Sequence, residues 1–531
     1  MFLVIVLILI AYVLYRIRRI GSRPPNLPPG PPTEPLFGNV RQLPVFFREN
    51  KYMEWAQKYG PIFSFMHRST PYIVVNEQSA ARELFVKLGQ STSSRPYMPV
   101  SWISRGDFAP VNMNGPVWRV ARREWHGMLN VSASKKYLPY QVLEAAKLLY
   151  DVLESPGGFA KHIERYSNSI SMSMTTGHRV PHSDDPIIST MLEMFRKIVR
   201  FNMEYNYVNS FPVLLKLPSL LPGPARKGKQ VFAEYRKVLV EFERVANLSI
   251  PSFLQAIKAS QAQIGLNDTQ AVSLAETLAS AGTETTANSI HAWVAAMALF
   301  PQVQQKAQEE IDRVVGPDRM PRDEDAAELV YVRQVVQELH RWFTVGPVGL
   351  MHAASRDIEW RGWKIPEGAG LIYNSMAIHH DPAVYPEPYQ FIPERWEGRL
   401  EMATEDSLGA STELFTFGAG RRICPGQHLA ERSLFLGISH WLWAFDIRKA
   451  RDQAGNEIDV DTSAIKPGLT RMLMPYQVEI RPRTEAKAEL IGSTWKAMKA
   501  DLLTSDEQWK SAPEEVKVVF ERVKAQKARS L

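Results

Sequence analysis

The ten residues FGAGRRICPG, at positions 417–426, contain the only cysteine of this 531-residue chain. The glycines at 418, 420 and 426 allow the backbone to turn tightly and to approach another group closely. A single cysteine excludes an intramolecular disulfide and a zinc site built from several thiolates. Three roles remain open for Cys424 at this point: a small buried hydrophobic residue, a nucleophile, or a metal ligand.

The surroundings of Cys424 favour one of these roles. GQHLAERSLFLGISHWLWAF, at 426–445, has the pattern of a helix, so the thiol precedes a helix N-terminus, where the helix dipole stabilises negative charge. Arg422 and the backbone amides of the loop would also favour the thiolate. A nucleophile would need a nearby base and an orienting group. A cysteine that ligates haem iron would need a glycine-framed loop, shielded from water, with cations for the propionates.

The loop resembles, at all six fixed positions, the haem-binding pattern F-G-x-G-x-R-x-C-x-G of the cytochrome P450 superfamily. The resemblance implies that Cys424 is the proximal ligand of haem iron, that Phe417 shields its sulfur, and that Arg422 pairs with a haem propionate. An anionic sulfur ligand pushes electron density onto iron and favours O–O cleavage. The retention of a single thiol in this loop therefore has a chemical reason.

A second motif, AGTETT at 281–286, lies in a helical stretch of about 270–300 that ends at Pro301. Its glycine and threonines are poor choices for a helix interior. One interpretation is a helix whose threonines hydrogen-bond back to carbonyls; the other is a local distortion that makes room for dioxygen and water. The motif resembles the central-helix pattern A/G-G-x-D/E-T-T/S of the same family. This implies that Glu284 and Thr285 are catalytic and deliver protons during oxygen activation.

A third motif, Glu338-Leu-His-Arg341, places a glutamate and an arginine on one helical face. Such pairs are common and carry little information alone. The family pairs its E-x-x-R with an arginine downstream, which corresponds to Arg395 in FIPERW. The resemblance implies a structural charge network of Glu338, Arg341 and Arg395 rather than a catalytic site. Buried charges of this kind are costly unless they are fully paired.

Trp118 and Arg122 resemble the family's W-x-x-x-R helix, whose tryptophan and arginine bind a haem propionate. The alternative is an ordinary surface helix, because Arg119 and Arg123 are also present. His352 follows an apolar segment and matches the family's other propionate contact. The resemblance therefore adds Trp118, Arg122 and His352 to the cofactor-binding residues.

The body of the chain is predicted to be mainly α with a small β region, and the resemblance implies the P450 fold. IFSFMHRSTPYIVV, at 62–75, predicts two strands around a turn, and residues 357–373 predict further short strands. We predict one haem-thiolate monooxygenase domain at 49–483 and a C-terminal helical extension of unknown role at 484–531. An apolar stripe on the last predicted helix is expected to pack on this chain: Val516, Val519, Phe520 and Val523.

The N-terminus is apolar from 1 to 15 and is followed by RIRR at 16–19. The run is shorter than the ~20 residues of a straight spanning helix. A cleaved signal, the alternative, would carry basic residues before the apolar run and small residues at a cleavage site. We therefore expect an uncleaved membrane anchor at 1–20, with the catalytic body in the cytosol. A proline-rich hinge at 21–48 would join the anchor to the body.

The resemblance covers about residues 28–483 and implies a haem-dependent monooxygenase acting on a hydrophobic small molecule with O2. No G-x-G-x-x-G fingerprint for a flavin or dinucleotide occurs. The electrons are therefore expected from a membrane-bound NADPH reductase at the endoplasmic reticulum, steered by basic residues. The net charge of +7 has no long basic run, so nucleic acid is not an expected partner. Two alternatives remain: a haem-thiolate isomerase or dehydratase acting without O2, and a non-enzymatic haem or ligand carrier.

The substrate is only broadly constrained by the sequence. Segments at 209–223 and 377–396 look like fungal members that oxidise secondary metabolites, of the O-methylsterigmatocystin oxidoreductase type. This similarity does not separate polyketides from terpenoids or indole alkaloids. By analogy, apolar and aromatic positions that suit a flat or terpenoid-like molecule face the substrate: Tyr97, Met98, Trp102, Phe108, Leu278, Val345, Val348 and Leu469.

Overall fold

The computed structural model of the chain describes residues 19–104, 106–108, 115–209, 212–216, 223–404, 407–409 and 413–529, together with positions 4, 5, 12 and 15. Over these residues the protein is mainly helical and carries small sheets, as predicted. The predicted anchor at 1–20 lies largely outside the described residues. Among the helices that are described, none combines the length and the apolar character needed to cross a membrane.

The strands pair in three small sheets. The largest has the order β1-β2-β6-β3, in which β1 and β2 form an antiparallel hairpin and β6 lies parallel to β2. The predicted hairpin at 62–75 and the short strands predicted within 357–373 are therefore present. In chain order the strands are β1 (Ile62–His67), β2 (Thr70–Val75), β3 (His352–Ala353), β4 (Ile358–Trp360), β5 (Trp363–Ile365), β6 (Gly370–Tyr373), β7 (Phe445–Lys449) and β8 (Val478–Pro482).

The described helices of the first half of the chain precede the long central helix. In order they are α1 (Arg48–Tyr59), α2 (Gln78–Ala81), α3 (Gly89–Thr92), α4 (Pro99–Ser104), α5 (Pro116–Leu129), α6 (Val131–Lys135), α7 (Leu138–Glu154), α8 (Phe159–Thr176), α9 (Pro186–Glu204), α10 (Pro224–Arg244) and α11 (Phe253–Ser260).

The remaining helices include the long central helix and the C-terminal extension. They are α12 (Asp268–Leu299), α13 (Pro301–Val314), α14 (Val330–Phe343), α15 (Ser375–His379), α16 (Gln427–Ala444), α17 (Glu485–Leu502) and α18 (Glu514–Arg529). Short 3-10 turns connect several of them, including Pro393–Trp396 and Gly420–Arg422.

The central helix α12 is set by its ends and by its burial. Asn267 and Gln270 form a capping box, in which the Gln270 amide donates to the Asn267 side chain at 2.8 Å and the Asn267 amide donates to the Gln270 side chain at 3.1 Å. The helix stops just before Pro301, which cannot continue it. Most of its second half is buried on every side, as expected for a helix without a polar face. It packs on α8, α10, α11 and α16 and so forms the axis of the body.

The C-terminal extension lies against the body. Trp495 of α17 is buried beside the Lys147 ammonium, 5.1 Å from its ring centre, and the Trp509 indole donates to the Ser173 hydroxyl at 3.0 Å. In α18, Val516, Val519 and Phe520 of the predicted stripe are buried among residues of α5 and α11. The side chain of Val523 lies outside the described part of the chain.

Candidate active site

The loop that carries Cys424 is folded tightly before α16. The Cys424 amide donates to the Phe417 carbonyl at 2.8 Å, which closes the loop on itself. Gly418 and Gly420 have φ values of 81° and 61°, in the left-handed region that favours glycine. A Cβ at Gly420 would lie 2.1 Å from the Phe85 carbonyl oxygen. No other residue type fits there, so this glycine is required by a close backbone approach.

The surroundings of the Cys424 thiol have opposing effects on its pKa. Burial raises the pKa of Cys424, while the Gly426 amide and the Arg122 guanidinium act in the opposite direction. The cation that the structure sets against the sulfur is thus Arg122 rather than Arg422. The Phe417 ring, predicted to shield the sulfur, packs edge-on against the His340 ring at a centroid distance of 5.1 Å.

Arg422 and Trp118 meet although they are far apart in sequence. The guanidinium lies over the indole, 4.1 Å from the ring centre, and Nε donates to the Ser93 carbonyl at 2.9 Å. Burial and the positive charges of Arg95 and Arg122 hold the pKa of Arg422 well below its usual value. Arg422 and Trp118, each predicted to bind a haem propionate, are therefore in contact, and other positive charges lie close to them.

Arg122 lies on the inner face of α5, one turn after Trp118. Trp118 is buried, Arg122 is half-buried, and Arg119 and Arg123 are exposed to solvent. The two interpretations of this helix thus apply to its two faces, because residues four apart share a face and their neighbours do not. Burial lowers the pKa of Arg122, and the negative charge of the Cys424 thiolate raises it.

Arg95 is a site residue that sequence reasoning missed. Its Nη1 donates to the carbonyls of Leu350 and Met351 at 2.6 and 2.8 Å. Its Nε is buried and has no hydrogen-bond partner among the residues that the structure describes. Arg95 lies in a loop before a proline, and no periodic pattern or motif marks it. With Arg122 and Arg422 it forms what we call the arginine cluster.

His352 lies beside the arginine cluster at the start of β3. It is buried, and its Nδ1 is 3.0 Å from the Thr92 carbonyl. Burial, and next the charge of Arg95, lower its pKa to about 3. The imidazole is therefore neutral at physiological pH, with Nδ1–H donating to the carbonyl and Nε2 left as an acceptor.

These residues fit a haem. A lone thiol in a glycine-framed loop can ligate iron. A cluster of one buried and two half-buried guanidinium groups matches the two propionates, and the buried Arg95 Nε–H has no partner among the described residues. Cys424 would hold the iron, and Arg95, Arg122, Arg422 and Trp118 would hold the propionate side. When bound, the haem supplies the oxygen-activating chemistry.

Glu284 and Thr285 lie at the middle of α12, and their side chains have different partners. The Thr285 hydroxyl donates to the Ala281 carbonyl at 2.9 Å, which is the back-bonded arrangement. Burial raises the pKa of Glu284, and a hydrogen bond from Thr470 and the charge of Arg196 oppose that shift. The helix runs through 281–286 without interruption, so the local distortion considered from the sequence is not present in this structure.

The neighbouring helix α8 accounts for the polar residues of the AGTETT motif that face away from Glu284. The Ser167 hydroxyl donates to the Gly282 carbonyl at 2.7 Å, and the Asn168 amide donates to the Thr283 hydroxyl at 3.0 Å. A Cβ at Gly282 would lie 2.3 Å from the Ser171 hydroxyl. Gly282 is thus explained by the close approach of α8.

The structure brings Glu338, Arg341 and Arg395 together away from the arginine cluster. Arg341 donates twice to the Glu338 carboxylate, from Nη2 at 2.7 Å and from Nε at 2.9 Å, and Arg395 Nε lies 3.5 Å from the same carboxylate. The Ile392 amide and the Trp396 indole add donors at 2.9 and 3.0 Å. We call these three charged residues the Glu338 network; the donors from Ile392 and Trp396 were not predicted.

The two functional segments are positioned by packing of α16 on α12. The thiol precedes the first turn of α16, and Glu284 and Thr285 lie at the middle of α12. A loop with a single thiol, a cluster of arginines and a helix with an acid and an alcohol define a haem-thiolate enzyme.

Comparison with known proteins supports this assignment. A family model described as Cytochrome P450 matches residues 28–478. Cytochrome P450 monooxygenase alnH from Emericella nidulans is 43% identical over 526 residues, which cover 98% of this chain and 96% of the relative. Cytochrome P450 monooxygenase virE from Hypocrea virens is 37% identical over 519 residues, covering 95% and 94%. Cytochrome P450 monooxygenase fogE from Aspergillus ruber is 35% identical over 525 residues, covering 96% and 97%.

The chain belongs to the cytochrome P450 family. It is a haem-dependent monooxygenase with a thiolate-ligated haem and electrons that originate from NADPH and arrive through a reductase. The predictions of family, enzyme class and cofactor are confirmed. The relatives are named monooxygenases, which disfavours the isomerase, dehydratase and carrier alternatives.

Proposed function

We propose that this monooxygenase oxidises a hydrophobic small molecule of fungal secondary metabolism. The observation that carries the proposal is the similarity of nearly the whole chain to fungal monooxygenases. A small apolar cleft between α4, α9 and α10 is lined by Val100, Ile103, Phe108, Ile198, Phe201 and Tyr235 among others. The apolar and aromatic side chains of this cleft agree with a hydrophobic substrate. The fungal origin of the similar monooxygenases and the two fungal-type segments support the metabolic context.

The cleft includes one of the positions predicted to face the substrate. Phe108 lines it, while Leu278 and Val345 are buried elsewhere in the body and Leu469 is exposed. The side chain of Trp102 and most of the following loop lie outside the described residues. Comparison of metabolites from a gene-deletion strain and its parent tests the proposal: an apolar precursor should accumulate, and an unchanged metabolite profile would contradict it.

In the proposed chemistry, Glu284 and Thr285 of α12 deliver protons during oxygen activation. A carboxyl and a hydroxyl on one helix can pass protons through water, and such relays contribute roughly 10²–10⁴ in rate. With a purified NADPH reductase, Thr285→Ala should remain folded and haem-bound but should divert electrons to peroxide. Thr285→Ser serves as the control, because it retains the hydroxyl. Full coupling in Thr285→Ala would contradict this role.

We further propose that residues 1–20 anchor the enzyme in the endoplasmic reticulum membrane with the body in the cytosol. The support is the apolar run followed by RIRR, since basic flanks stay on the cytosolic side. The chain contains N-x-S/T sequons at Asn130, Asn247 and Asn267. In this orientation none should be glycosylated, so a glycosidase-sensitive mass shift would contradict it. Deletion of residues 1–20 should release the enzyme from microsomes.

The proposed contact of the reductase is the exposed basic surface next to the Cys424 loop. Arg119 and Arg123 are exposed on the outer face of α5, and Arg421 is exposed in the loop itself. An acidic partner surface would be steered to these charges. Arg123→Glu should raise the reductase concentration needed for half-maximal reduction and should weaken its dependence on salt.

A further inference from the structure

A hairpin near the C-terminal end of the body, residues 464–474, reaches the middle of α12. Its arms pair through backbone hydrogen bonds. Arg471 fixes the hairpin against the end of α14: its amide donates to the Val345 carbonyl at 2.9 Å, and its Nη1 donates to the Phe343 carbonyl at 2.8 Å. These two bonds hold the neighbouring residue, Thr470, in a defined position.

Thr470 connects two residues of α12. The Asn288 side-chain amide donates to the Thr470 hydroxyl oxygen at 3.3 Å. The Thr470 hydroxyl also lies close enough to the Glu284 carboxyl to lower its pKa. Glu284 and Asn288 are four residues apart and share one face of the helix. A hydroxyl has one proton and two lone pairs. Because Asn288 occupies a lone pair, the Thr470 proton is directed to the Glu284 carboxylate.

Thr285 does not provide this bond, because its own hydroxyl donates to the Ala281 carbonyl. The polar contact that orients Glu284 therefore comes from the hairpin and not from the adjacent residue. Resting on the proposed proton delivery by Glu284, we propose that Thr470 is a positioning residue that holds the Glu284 carboxylate and sets how readily it exchanges its proton.

The charges around Glu284 give the direction in which its pKa should change when the Thr470 hydroxyl is removed. Burial raises its pKa, while the Thr470 hydrogen bond and next the charge of Arg196 lower it. Glu164 of α8 faces the same region, and burial raises its pKa as well. The cations that act on Glu284 or Glu164 come from three elements: Arg196 of α9, Lys161 of α8 and Lys466 of the hairpin. Without the Thr470 bond, Glu284 keeps its proton to higher pH.

Three variants of the full-length, haem-loaded enzyme test this role. Thr470→Val keeps the shape and removes the hydroxyl, and Thr470→Ser keeps the hydroxyl. Leu469→Ala changes the same hairpin without touching the hydrogen bond. The readout is the carboxyl band of Glu284 in infrared spectra, assigned by its loss in Glu284→Gln and titrated with pH. Coupling of NADPH oxidation to product is measured over the same pH range.

Thr470→Val should raise the Glu284 titration midpoint by about one pH unit, the size expected for one hydrogen bond to a carboxylate. The limb of the coupling profile that belongs to Glu284 should shift upward by the same amount. Thr470→Ser should restore both, and Leu469→Ala should leave the infrared titration unchanged. A role limited to substrate contact or to folding would not move the infrared midpoint.

An unchanged midpoint in Thr470→Val overturns the inference, as does a shift of equal size in Leu469→Ala. Glu284→Gln separates this failure from that of the proposed function. If Glu284→Gln is uncoupled and Thr470→Val is unshifted, only the role of Thr470 is wrong. If Glu284→Gln remains fully coupled, proton delivery by Glu284 is wrong, and the role of Thr470 falls with it.

Discussion

The molecule contains two groups of arginines that are at least half-buried. The two groups differ in the charged partners that the rest of the chain provides. In the Glu338 network, Glu338 and Arg341 are fully buried, and the carboxylate receives two donors from Arg341 and one each from Ile392 and Trp396. In the arginine cluster, burial and the charges of Arg95 and Arg122, together with that of the exposed neighbour Arg421, lower the pKa of Arg422. In the first group the protein supplies a carboxylate that both arginines share, whereas in the second group several positive charges lie close together.

The difference separates a structural role from a binding role. Buried charge is costly unless it is paired and hydrogen-bonded. The Glu338 network meets this condition within the chain, so its function is complete when the chain has folded. In the arginine cluster, the Arg95 Nε–H is buried and has no hydrogen-bond partner among the described residues, so a donor is left for an added anion. The propionates of a haem would supply two anions. The stability of one group should therefore depend on the haem, and the stability of the other should not.

The largest effect is expected from loss of the Cys424 thiol. Without this iron ligand, the arginine cluster cannot hold a functional haem. Cys424→Ser replaces the soft thiolate with a poor ligand, so the CO-difference band typical of thiolate ligation and the monooxygenase activity should both be lost. Both are measured on microsomes with matched expression of the parent enzyme. A variant that retained both would show that Cys424 is not the iron ligand.

Removal of the carboxylate should break the Glu338 network. Glu338→Ala leaves Arg341 and Arg395 buried without their partner, which costs about 3–5 kcal/mol. For a marginally stable body, this predicts poor expression and little haem incorporation. The measurement is the yield of folded, haem-containing protein.

A control lies in the same segment. Glu394 pairs with Lys306 at 2.7 Å, but both side chains are about half exposed, so Glu394→Ala should cost about 1 kcal/mol or less. Normal stability and haem content in Glu338→Ala would show that the network does not support the fold.

In the arginine cluster we expect weaker haem binding without a loss of protein stability. Arg422→Leu removes one of the mutually repelling charges, so the free energy of unfolding of the haem-free protein should change little. It also removes a charged donor to a propionate, worth about 1.5–3 kcal/mol, so haem transfer to apomyoglobin should be roughly 10- to 100-fold faster. Arg421→Leu is the matched control, because Arg421 is exposed. Equal transfer rates in parent and Arg422→Leu would contradict a propionate role.

Much of the fold was predictable because it depends on local patterns. The strand-forming residues on either side of a turn at 62–75 predicted the hairpin, whose register pairs Ile62 with Val75. The helical stretch predicted at about 270–300, ending at Pro301, agrees with the limits of α12 to within a few residues. The spacing of Trp118 and Arg122 placed both on one helical face, and the glycines of the Cys424 loop indicated a close backbone approach.

What the sequence could not show are contacts between distant segments without a motif. Arg95 joins the site through carbonyls 255 and 256 residues away, and Thr470 meets Asn288 across 182 residues. Neither residue belongs to a periodic pattern, since both lie in loops. The Glu284 environment was missed for the same reason: its orientation depends on a hairpin whose position is set by Arg471.

The smallest effect is expected at the edge of the Glu338 network. Arg395 Nε lies 3.5 Å from the carboxylate, and its Nη2 donates to the Glu387 carbonyl at 2.8 Å. In Arg395→Ala, Glu338 keeps both donors from Arg341, so the loss should be about 1–2 kcal/mol and the enzyme should remain haem-bound. Arg395→Lys should lose less, because it keeps the charge. Denaturant unfolding gives these values, and a double-mutant cycle with Glu338→Ala gives their coupling. Arg395→Ala and Glu338→Ala could also lower the free energy of unfolding by equal amounts. That result would mean that Arg341 and Arg395 share the carboxylate equally, and that the bidentate Glu338–Arg341 pair does not stabilise the network by itself.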